Sequence, residues 1–103
     1  MSLDNIIVGN YGQAVVLTIN DTDTDSAADV SAYTTSQHVE IKDPSGNTAT
    51  KTASFVSDGS DGQVTYTLVE NDIDEAGLWH VRAKVVSGSA VLYSEWESAD
   101  VAE

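Results

Sequence analysis

Apolar residues in this chain recur at every second position in five separate runs, and that period confines the fold to β-sheet. Val15, Leu17 and Ile19 alternate with Ala14, Val16, Thr18 and Asn20. Val39 and Ile41 alternate with His38, Glu40 and Lys42, and Ala53 and Phe55 with Thr52, Ser54 and Val56. Val64, Tyr66 and Leu68 alternate with Thr65, Thr67 and Val69, and Trp79, Val81, Ala83 and Val85 with His80, Arg82 and Lys84. Successive side chains of a strand point to opposite faces, so each run reads as a strand with one face buried. Thr, Val and Tyr, which dominate the runs, are residues that strands favour.

Turn signals fall between the runs. Asp43-Pro44-Ser45-Gly46-Asn47 is a turn in which Pro sets φ and Gly supplies a positive one. Ser57 to Gly62 is a longer polar connection, and Ser87-Gly88-Ser89 closes a final hairpin. The spacing predicts strands at roughly 5–8, 13–20, 35–43, 48–57, 62–69, 78–86 and 90–98, with a single helical turn at roughly 70–76. The irregular, acidic stretch Asn20 to Tyr33 is the longest connection. With 103 residues the chain is one domain, 1–103, without internal repeat or linker. About seven short antiparallel strands at this spacing define an all-β sandwich.

The stretch Asp72-Ile73-Asp74-Glu75-Ala76-Gly77-Leu78-Trp79-His80-Val81 narrows the class. An acidic corner runs through a small pair into a strand with an aromatic near its start. Immunoglobulin-like β-sandwiches carry such a corner, with a tyrosine whose hydroxyl bonds back to upstream backbone. Here the aromatic is Trp79, so an indole N–H has to replace that hydroxyl. By phase, Trp79 and Tyr66 belong to the core, and Tyr93 is expected to be core or semi-buried.

Charge and composition exclude several functions. The net charge is −13, from 17 acidic residues against Lys42, Lys51, Arg82 and Lys84. Nucleic acid requires clustered cations, so it is not a partner, and an anionic membrane surface is equally unattractive. There is no cysteine, hence no disulfide framework or thiolate chemistry. The N-terminus has no positive region and no apolar run of leader length, so no signal peptide is read there.

No constellation carries chemistry. Asp21, Asp23 and Asp25 have the spacing that opens a calcium loop. Ser26 then stands where that loop needs Gly, and Ala32 where it needs Glu. A solvated acidic loop is the expectation, with a looser calcium site including Asp29 as the alternative. His38 and His80 fall on the polar phase of their strands and have no third ligand at metal spacing. Asp72/Asp74 and Glu95/Glu97 read as solvated face or rim rather than an acid–base pair. The serines and threonines have no His/Asp partner set, so the chain is expected not to be an enzyme and to need no cofactor or metal. Trp96, near the end of the last strand, either anchors a partner or caps the sandwich. Tyr11 and Tyr33 lie in connections.

Several segments, taken in order, resemble the immunoglobulin-like domains of tailed-phage virion proteins. They are Asp29-Val30-Ser31, His38 to Gly46, Lys51-Thr52-Ala53, Asp58 to Tyr66, Asp72 to Trp79, and Tyr93-Ser94-Glu95. The pattern is similar to the N-terminal domain of phage baseplate upper proteins and covers most of the chain from residue 29. It implies a non-enzymatic structural role in the virion, assembled in the host cytoplasm. Baseplate proteins continue into stalk or receptor-binding regions, whereas this sequence stops at Glu103. A stand-alone domain looks like a capsid decoration, or cement, protein. The partners implied are capsid or other virion proteins, and a homo-oligomer is compatible. A baseplate or tail module is the alternative within that class. A carbohydrate- or cell-surface-binding module, calcium-dependent in one version, is the alternative outside it. The interface is expected at Leu3 and Ile6 of the N-terminal segment, at Tyr33, and at Trp96.

Overall fold

The computed structural model describes residues 6–21 and 26–102. Among them there is no helix, and the strands follow as β1 (Ile6–Ile7), β2 (Ala14–Thr18), β3 (Asn20–Asp21), β4 (Ser26–Ala27), β5 (Ser36–Lys42), β6 (Thr48–Thr52), β7 (Ser54–Phe55), β8 (Gln63–Thr67), β9 (Gly77–Ser87), β10 (Ala90–Tyr93) and β11 (Glu97–Ala102). One sheet has the order β1-β11-β9-β5-β6, with β10 also paired to β9; the second has the order β2-β8-β7, and β3-β4 is a small ribbon. This is the immunoglobulin-type arrangement, in which the second, fifth and fourth strands of the plan face the third, sixth and seventh. Every pairing is antiparallel except β1, which runs parallel to β11.

The core lies between the sheets. Val15, Leu17 and Val64 from the small sheet meet Val39, Ile41, Trp79, Val81, Ala83 and Val85 from the large one. These are the residues that the period of two assigned inward, because a sheet can bury only one of its alternating rows here. Trp79 is buried, and its indole Nε1–H donates to the carbonyl oxygen of Glu75 at 2.9 Å. The corner therefore has the expected form, with the indole in place of a phenol. The Pro44 turn is tied to the same corner by the Ser45 hydroxyl, which donates to the Glu75 carboxylate.

Gly62 holds the long polar connection against the sandwich. Its φ is +72°, and a Cβ there would stand 2.7 Å from the Ala28 carbonyl oxygen and 2.8 Å from that of Ile19. Only glycine combines that backbone with that approach.

Four expectations change. The run 48–57 is two strands in different sheets, β6 and β7, which separate at Ala53. Residues 70–76 form turns rather than a helical turn, with Asn71 at φ 74°. The last strand is interrupted: Tyr93 faces Lys84, whereas Glu97 faces Val81, so Ser94, Glu95 and Trp96 span only Ala83 and Arg82. This one-residue bulge reverses the in–out phase. Tyr93 consequently points outward and is 42% exposed, not core.

Candidate functional site

The bulge builds an aromatic and cationic cluster on the outer face of the large sheet. Register places Glu40 directly opposite Arg82, His38 opposite Lys84, and Lys42 opposite His80. All six alternate with buried residues of β5 and β9, so they share the outer face. Three of the chain's four basic residues are thus gathered there, in a protein that is elsewhere acidic. Arg82 Nε donates to Glu40 Oε1 at 2.6 Å. The Arg82 guanidinium lies over two rings, 4.0 Å from the Tyr93 centroid and 4.4 Å from that of Trp96. Lys84 approaches the Tyr93 ring at 5.9 Å. Stacking and ion pairing fix the rotamer of Arg82 and both rings before any partner arrives.

Ser94 supports the cluster. It is buried, its hydroxyl accepts the Ala83 N–H at 2.7 Å, and it donates to the Glu95 carbonyl at 3.0 Å. The bulge would otherwise leave that N–H without an acceptor. Trp96 is held 40% exposed immediately after it.

The other expected interface residues are not gathered here. Ile6 pairs with Val101 at the far end of β11, about 15 Å along the strand from Trp96. Beside it, Ile7, Val8 and Tyr11 are exposed. Tyr33 is half-buried against the core, and its carbonyl accepts from Gln37. Leu3, Asp23 and Asp25 lie outside the described residues, and Asp21 is described only as a backbone member of β3. His38 and His80 are half-buried on the outer face. Among the described residues, no group of three or more His, Asp or Glu side chains is placed to hold a metal ion.

Asp72 does not lie on a solvated rim. Its side chain is 3% exposed and ties three elements together. The Tyr66 hydroxyl donates to it at 2.5 Å, the Val69 N–H at 2.9 Å, and Lys51 pairs with it at 3.2 Å. Burial works to raise the Asp72 carboxyl, but these three donors outweigh it and hold it below the ordinary carboxylate range. Burial, and then the carboxylate, push the Tyr66 phenol up. Sequence carried a signal for this: Lys51 shares the inward phase of Ala53 and Phe55, and an inward lysine requires a carboxylate. The neighbouring depression, about 200 Å³ and lined by Asp43, Asn47 and Asp74 among others, is smaller than a usual ligand pocket.

Asp29 and Asp58 form two similar turns. Each accepts the N–H and hydroxyl of the serine two residues on, Ser31 and Ser60. Those serine hydroxyls first, and then the N–H groups, lower both carboxyls.

Fold and cluster together define an all-β sandwich domain of immunoglobulin type that presents a preorganised aromatic–arginine face. The chain matches no model of a known protein family and no curated protein.

Proposed function

We propose that the chain is a non-enzymatic structural protein of a tailed-phage virion, a decoration protein that docks on the capsid exterior and bridges its subunits. Many copies bound to the assembled shell, and not to its separated subunits, stabilise the shell by mass action. The observation that carries the reading is the Arg82–Tyr93–Trp96 cluster. Trp, Tyr and Arg are the residues that dominate binding energy at protein interfaces. Here they are held rigid on a sheet, so little side-chain entropy is lost on docking. The ordered resemblance of residues 29–95 to phage immunoglobulin-like domains supplies the virion context. Fractionating phage particles into shells and tails tests the assignment: the chain should travel with filled and expanded shells. Recovery with tails or baseplates alone would move it to the tail-module alternative.

The exposed Trp96 favours a second reading, a carbohydrate-binding module. Sugar stacking needs an open ring face, and Arg82 already lies over both rings. Unchanged tryptophan fluorescence on titration with bacterial surface polysaccharide would dismiss this reading.

A further inference from the structure

Among the described residues, the small sheet has an open edge at β2. Ile19 N–H donates to the Gly62 carbonyl, and Leu68 N–H to that of Gln13, so the odd-numbered residues of this strand bond to β8. An antiparallel ladder alternates, and Ala14, Val16 and Thr18 therefore turn their N–H and C=O groups away from β8. Among the described residues no strand lies on that side.

Native sheets protect such edges with short strands, bulges or charges. The other edges have these devices. β1 and β7 have two residues each, β10 runs into the bulge, and β6 carries the inward Lys51. β2 has none of them. Its sequence is AVVLT, and its sheet partners β8 and β7 read QVTYT and SF, without a single charge. In a chain of net charge −13, this whole sheet is neutral.

The geometry points to a second copy of this chain as the occupant: two β2 strands pair antiparallel about a two-fold axis through Val16, joining two small sheets into one continuous sheet. The outward-turned residues fit that symmetry. Val16 lies opposite Val16 of the partner copy, Ala14 lies opposite Thr18 of the partner copy, and about six backbone hydrogen bonds close. A two-fold contact sets each residue near its own equivalent, so an acidic face would repel itself. The neutral sheet avoids that repulsion. The inference stands on the edge alone and does not depend on the virion reading.

The test uses the full chain. Sedimentation velocity from 1 to several hundred micromolar should show the mass double with concentration. Amide exchange at Ala14, Val16 and Thr18 should slow over the same range. Val16→Cys, in a protein with no other cysteine, should form a disulfide-linked dimer on mild oxidation. Ala14→Cys and Thr18→Cys should cross-link when mixed and not when separate. Val16→Lys should return the mass to one chain while the far-ultraviolet spectrum stays that of the parent. A single-chain mass throughout overturns the proposal. Protection of the three amides in that monomer would assign the edge to Met1–Asn5 of the same chain. A dimer that survives Val16→Lys overturns it equally, because the contact then lies on another face.

Discussion

The hydroxyl of Ser94 accepts the backbone N–H of Ala83 at 2.7 Å, across the bulge that turns Tyr93 and Trp96 toward Arg82. A side chain here does what a backbone carbonyl does in a regular ladder. Ser94→Ala leaves a buried N–H without an acceptor and should cost about 1–3 kcal/mol. Chemical denaturation measures the loss. An unchanged midpoint would mean that the bulge does not depend on Ser94.

Trp79 contributes bulk and a donor separately. Trp79→Phe keeps a ring but leaves the Glu75 carbonyl without its partner, and should cost about 1–3 kcal/mol. Trp79→Ala should cost about 3–5 kcal/mol, as truncating a core aromatic does. A loss below about 1 kcal/mol for the alanine variant would contradict the placement of Trp79 in the core.

The sandwich and the corner were legible because a sheet with one wet face writes its burial directly into alternation. Val39, Ile41, Val81 and Val85 could be assigned inward without any knowledge of their partners. Alternation records the face and not the neighbour, which is why the passage from β6 to β7 was hidden. Lys51, Ala53 and Phe55 keep one phase while the chain changes sheets. The bulge was hidden for the opposite reason. One extra residue among Ser94, Glu95 and Trp96 shifts the phase with no glycine or proline to mark it, which is why the sequence reads Tyr93 as core or semi-buried. The Arg82 cluster follows from that shift and was missed with it.

Asp72 makes stability depend on pH. Its carboxyl is lowered in the folded state, so the stabilisation is fully present above the unfolded value of about 4 and is lost as pH falls through the lower folded value. Asp72→Asn should cost about 1–3 kcal/mol at pH 7. The gap between parent and variant should narrow steadily below about pH 4. Melting curves between pH 7 and pH 2.5 give the comparison, and a constant gap would mean that Asp72 is not the titrating hub.

Gly62→Ala forces a Cβ against two carbonyl oxygens at a positive φ. The expected loss is about 2 kcal/mol or more, measured by thermal unfolding. A neutral effect would show that the connection 57–62 can move away from Ile19 and Ala28.

The central claim is adhesion through the aromatic–arginine face, and its most direct measurement is occupancy on expanded shells stripped of this protein. Parent chain, Trp96→Ala, Arg82→Ala and a distant control, Asp58→Asn, are mixed with such shells, pelleted and quantified by gel densitometry. The account predicts that the parent and Asp58→Asn saturate the shells and raise their melting temperature, while Trp96→Ala and Arg82→Ala lose occupancy at least about tenfold, the worth of about 1.4 kcal/mol. Equal occupancy for all four chains, or no binding by the parent, would contradict it.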